Sequence, residues 1–127
     1  MRGSCLCGAV VFEADTPLRP VIACHCTQCR KTSGHFWAAT SVPTAALRMV
    51  RDDGLAWFRS SDSARRGFCR TCGSSLFWEP VGGDTTSIGA GTIDGETGVS
   101  VECHWYVADK GDYYELNDGL PQFDRES

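Results

Sequence analysis

Apolar and polar residues alternate in short runs along most of this chain. The runs AVVFEA (Ala9–Ala14), FWAATSV (Phe36–Val42), LAWFR (Leu55–Arg59), SLFWE (Ser75–Glu79), TTSIGAG (Thr85–Gly91) and VSVECHWYV (Val99–Val107) are rich in β-branched and aromatic residues. Gly, Pro, Asp and Ser bound them. Such a pattern predicts strands, because successive side chains of a pleated ribbon face opposite ways. One short helix is expected over Thr27–Ser33, stopped by Gly34. No fixed-period repeat, low-complexity tract or linker interrupts the pattern. The expectation is a single, mainly β domain over residues 1–127, with mostly antiparallel strands and little helix.

In the last run, alternation puts Val99, Val101, Cys103, Trp105 and Val107 on one apolar face. Ser100, Glu102, His104 and Tyr106 then face the other way. Cys103 reads as a buried core thiol. His104 reads either as a satisfied structural histidine or as a residue lining a site. Trp37, Trp57, Trp78 and Trp105 read as core residues before they read as a protein-binding patch.

Composition narrows the class. A chain of 127 residues with 42% hydrophobic and 22% charged residues has the size to bury roughly 65–70% of its unfolded surface. A net charge of −4 argues against general nucleic-acid binding, which needs clustered Lys and Arg. The late acids Asp109, Asp112, Glu115, Asp118, Asp124 and Glu126 read as a solvated surface. The N-terminal MRGSCLCGAV lacks the apolar segment of a signal peptide, and nowhere do about 18 apolar residues run together. A cytoplasmic location with no membrane partner is therefore expected. Thiols stay reduced there, so eight cysteines read first as metal ligands. Oligomeric state is not legible.

The sulfurs fall in groups. Cys5/Cys7 and Cys69/Cys72 form two short pairs, and in each the second cysteine precedes a glycine, Gly8 or Gly73. Two such pairs suit a closed tetrahedral zinc site, with glycine taking the positive-φ turn. A disulfide or a redox pair is the alternative. The third group, Cys24, Cys26 and Cys29, offers three sulfurs and leaves a fourth position, the arrangement of catalytic zinc. His35, His104 or Cys103 could close it. Arg30 and Lys31 follow directly and would balance the negative charge of zinc with three thiolates. So thiolate-rich a centre suits sulfur better than zinc-hydroxide hydrolysis.

The motifs GSCLCGAV, CHCTQCRKTSG, RRGFCRTCGSSLFW, HWYVADK and LPQF together resemble the glutathione-dependent formaldehyde-activating family, which includes centromere protein V-like proteins. The resemblance implies a β-tent of antiparallel sheets with two zinc sites. It places Cys5, Cys7, Cys69 and Cys72 on the structural zinc and Cys24, Cys26 and Cys29 on the catalytic one. It also implies a carbon–sulfur lyase that joins a small thiol such as glutathione to formaldehyde, and the reverse. Arg30, Lys31, Arg65 and Arg66 are then candidate clamps for substrate carboxylates. His104 or His35 is the candidate for proton handling. A non-catalytic, zinc-stabilised protein-binding module is the rival expectation.

Overall fold

The computed structural model describes Met1–Glu126. Among these residues lie β1 (Arg2–Ser4), β2 (Val11–Ala14), β3 (Val21–Cys24), α1 (Thr27–Ser33), β4 (Trp37–Pro43), β5 (Leu47–Arg51), β6 (Leu55–Arg59), β7 (Ala64–Cys69), β8 (Ser75–Pro80), β9 (Thr85–Gly89) and β10 (Val101–Trp105). Mainly β structure with one short helix is what the alternation predicts. The helix has the expected bounds, and Gly34 ends it at φ 86° with its N–H on the Arg30 carbonyl.

Strands β1-β2-β5 make a small sheet, and β10-β3-β4-β9-β8-β7-β6 a large one. Their inner faces meet over Val10, Phe12, Val42, Leu76, Phe77 and Ile88, all buried. Phe12 and Phe77 cross edge to face at 5.0 Å, the arrangement that ring quadrupoles favour. Gly3 sits flat against Phe12, where a Cβ would fall 2.3 Å from the ring.

One pairing departs from the antiparallel expectation: β10 runs parallel to β3. A parallel neighbour needs a long crossover, here filled by most of the large sheet. The register of β10 also slips between Val101 and Cys103, and this breaks the predicted alternation. Cys103 is buried as expected, but His104 beside it is buried too, and Val101 is exposed. The outer edge of β10 is covered by the segment around Gln122: the His104 N–H donates to the Pro121 carbonyl, and the Phe123 N–H to that of His104.

Candidate functional site: two cysteine clusters and a cleft

The turns of two hairpins meet where the sheets join. Cys5 and Cys7 lie in the β1–β2 turn, and Cys69 and Cys72 at the β7–β8 turn. Their four sulfurs lie within 4.8 Å of one another. Cys5 Sγ to Cys7 Sγ is 3.7 Å and Cys7 Sγ to Cys69 Sγ 3.8 Å. Both separations far exceed a disulfide bond. They match the tetrahedral edge of about 3.8 Å that follows from metal–sulfur bonds of about 2.3 Å. Gly8 and Gly73 take φ 82° and 81°, which turns the backbone around the sulfurs. The Val10 and Cys72 N–H groups donate to the sulfurs of Cys5 and Cys69. Gly54 leaves them room, since a Cβ there would lie 2.8 Å from Cys69 Sγ. The Cys72 thiol is pushed down to about 5, chiefly by the Ser74 hydroxyl. Four converging, hydrogen-bonded sulfurs fit a metal ion and close its coordination.

The second cluster has a different setting. Cys24 ends β3, Cys26 caps α1 with its sulfur accepting from the Cys29 N–H, and Cys29 lies within the helix. These three sulfurs also lie within 4.8 Å of one another, and among the described residues no fourth Cys, His, Asp or Glu joins them. The candidates for closure are engaged elsewhere. His35 Nδ1 bonds the Tyr113 hydroxyl, His104 belongs to the buried chain described below, and Cys103 stands apart from both groups. Hydrogen bonds from Cys24 and Cys29 push the Cys26 thiol down to about 2, helped by the Cys29 N–H and the nearby Arg66 guanidinium.

All three cysteines line a cleft of about 750 Å³. Trp37, Trp78, Trp105 and Tyr106 supply aromatic surface in it, so three of the four tryptophans line a cavity and are not core residues. Only Trp57 packs as a core residue, stacked on Phe77 at 6.0 Å. Tyr106 is the one non-glycine residue with positive φ among those described, at 58°. So large a side chain in left-handed backbone is costly and is held by its surroundings. Burial, then Glu126, pushes its hydroxyl pKa up, so it remains an O–H donor.

The predicted clamps separate. Arg66 lines the cleft, is buried, and sets its Nη2 3.4 Å from Cys29 Sγ. Arg65, next in sequence, faces outward, pairs with Glu79 at 2.7 Å and lies over Trp57. Strand alternation separates these two arginines. Arg30 and Lys31 are not among the cleft residues. Replacing Arg66 by leucine removes the cation beside the thiolates. Metal affinity at this cluster is expected to fall by roughly 10–100-fold, as for other groups that support ligands. Competitive chelation checks it, with the closed cluster as internal reference.

His104 also points away from the cleft. His104 Nε2 donates to Asp118 at 2.7 Å, so its Nδ1 accepts from His25 Nε2 at 2.9 Å. His25 Nδ1 in turn accepts from the Tyr114 hydroxyl. The carboxylate fixes both tautomers by this network. Burial first, then His104, lowers the His25 pKa to about 4, in keeping with a neutral ring. His25 stands between Cys24 and Cys26, so the chain anchors the backbone that presents them. Asp118 is thus more than solvated acid, and the His104 N–H holds its pKa below the usual carboxylate value. A depressed acid stabilises the fold above its ordinary pKa and loses that contribution as pH falls through the lowered one. Asp118→Ala is expected to lower the melting temperature at neutral pH. Asp118→Asn, which keeps an oxygen for the same N–H, should recover most of the loss.

A two-sheet β scaffold that gathers a four-cysteine cluster and, beside a cleft, a three-cysteine cluster defines a class of β proteins whose grouped thiols could hold metal ions. The sequence pattern of the glutathione-dependent formaldehyde-activating enzyme family matches residues 1–109, and the chain belongs to that family. It is similar to an uncharacterised lyase of Schizosaccharomyces pombe, 26% identical over 96% of this chain and 89% of that one. It is also similar to a Halomonas elongata protein provisionally named a glutathione-dependent formaldehyde-activating enzyme, 29% identical over 91% of this chain and 80% of that one. A crystal structure of a Rhodobacter sphaeroides protein shares the fold, with TM-score 0.63 and 22% identity over 97% of this chain and 99% of that one.

Proposed function

We propose that this protein is a zinc-dependent carbon–sulfur lyase that joins a small thiol to formaldehyde or another small aldehyde and catalyses the reverse. The observation that carries the proposal is the three-cysteine cluster at the cleft, without a fourth donor among the described residues. The relatives' names, a lyase and a formaldehyde-activating enzyme, support it. Zinc suits both clusters because thiolate sets select it among the common divalent ions. Bound at Cys24, Cys26 and Cys29, it would supply a centre that favours a thiolate over a thiol.

The side chains divide the remaining work. Arg66 offsets thiolate charge at Cys29, and the aromatic walls hold the body of the thiol while excluding water. In the addition, the S–H adds across the C=O: a carbon–sulfur bond forms, the proton ends on the former carbonyl oxygen, and nothing is oxidised or reduced. Tyr106, whose hydroxyl lies 3.5 Å from a Glu126 oxygen, is our candidate to donate to the former carbonyl oxygen. It takes the place of His104, whose ring nitrogens are both engaged, and of His35, which does not line the cleft. A cytoplasmic setting would keep both clusters reduced.

The test is NMR exchange between free thiol, formaldehyde and hemithioacetal, with and without the zinc-loaded protein. Faster exchange with protein is expected. Equal rates across a panel of thiols would instead favour the protein-binding module.

A further inference from the structure

A second, smaller cavity of about 270 Å³ shares two walls with the cleft, Trp37 and Arg66, and none of the clustered cysteines lines it. Phe58, Phe68 and Phe77 supply its other large walls. Phe58 stands opposite Arg66 in the β6–β7 register, so both side chains leave the sheet on one face. Their burial is the reverse of what their chemistry favours: Arg66 is 8% exposed and Phe58 60%. Arg66 forms no ion pair among the described residues. Its Nη2 donates to the Cys29 sulfur, but its Nε is buried without a partner. A buried donor without an acceptor and a ring left in water are each costly. A single ligand with a negative end and a flat apolar body would relieve both.

We infer that this small cavity is a binding site for a one-ring aromatic carboxylate, with the ring against Phe58 and its aromatic neighbours and the carboxylate on Arg66. The planar fork of a guanidinium matches a carboxylate. One cation balances one negative charge, whereas a doubly charged phosphate would be left uncompensated among apolar walls. The cavity is smaller than the usual site of a drug-sized ligand, which limits the occupant to about one ring. Apolar walls with a single charged anchor are the common make-up of such sites. The site stands apart from the lyase proposal, since no cysteine lines it.

Benzoate is the probe, titrated into the zinc-loaded protein and followed by amide NMR. Benzamide (the ring without the charge) and acetate (the charge without the ring) are titrated for comparison. Benzoate should bind with roughly millimolar affinity, and each of the other two about tenfold more weakly. The shifts should centre on Gly67 and Gly73, which line the small cavity alone, and spare Ser41 and Ser87, which line only the cleft. Phe58→Ser, at an exposed position, should keep the fold and weaken benzoate about tenfold. Arg66→Leu should bring benzoate down to the level of benzamide; if that variant does not fold, Phe58→Ser carries the test alone. The inference is overturned by no binding of benzoate, by benzamide or acetate binding as tightly, by shifts centred on Ser41 and Ser87, or by unchanged binding in the Phe58→Ser protein.

Discussion

Cys69→Ser is expected to leave the chain unfolded at 25 °C, even with zinc in excess. Cys69 is fully buried, belongs to the apolar core and supplies one corner of the closed cluster. Structural zinc in small domains contributes about 10–16 kcal/mol of apparent binding free energy. Whole domains are stable by only about 5–15 kcal/mol. The metal term is therefore as large as the entire net stability, and a ligand lost here cannot be absorbed elsewhere. Circular dichroism and amide NMR dispersion give the answer. Cys103→Ala serves as control: it removes a buried thiol outside both clusters and should fold. A Cys69→Ser protein with wild-type dispersion and melting temperature would show that the closed cluster does not hold the sheets together.

Cys26→Ala should behave in the opposite way, with the fold kept and exchange reduced to the rate without protein. Cys26 is half-buried and caps a helix of seven residues. Losing a cap costs about 1 kcal/mol, a small part of the total. The functional loss is far larger, because two sulfurs cannot hold the ion that three were placed to hold. Zinc content should fall from two per chain toward one, with the closed cluster still filled. A variant that retains both metals and full exchange activity would refute the assignment. Cys29→Ala is less informative, since Cys29 is buried and its loss mixes packing with chemistry.

Several parts of this architecture are local enough to be read from the chain. Helix α1 is marked by its glycine stop, and the closed cluster by two cysteine pairs each followed by glycine. Strands β3 and β7 are harder. VIAC has three buried residues in a row, so it shows no alternation to read. ARRGFC carries two arginines that disguise a strand, although only Arg65 is exposed. The β10 bulge reverses an inference that depends on strict period two. No local pattern could join His25 to Tyr114 or His104 to Asp118, because those contacts depend on the long return of the chain. The same is true of Arg66. Its charge is visible in the sequence, but the sulfur 37 positions earlier that it accompanies is a product of sheet order.

The parallel pairing of β10 with β3 also dictates an order of assembly. During synthesis all seven candidate ligands emerge before Val101, the first residue of the strand that flanks Cys24. For that interval a nascent chain holds every sulfur of both groups while the strand that flanks Cys24 is still missing. Contacts between segments so far apart form slowly. The four-cysteine group, complete at Cys72, can therefore gather before the three-cysteine group gains its flanking strand.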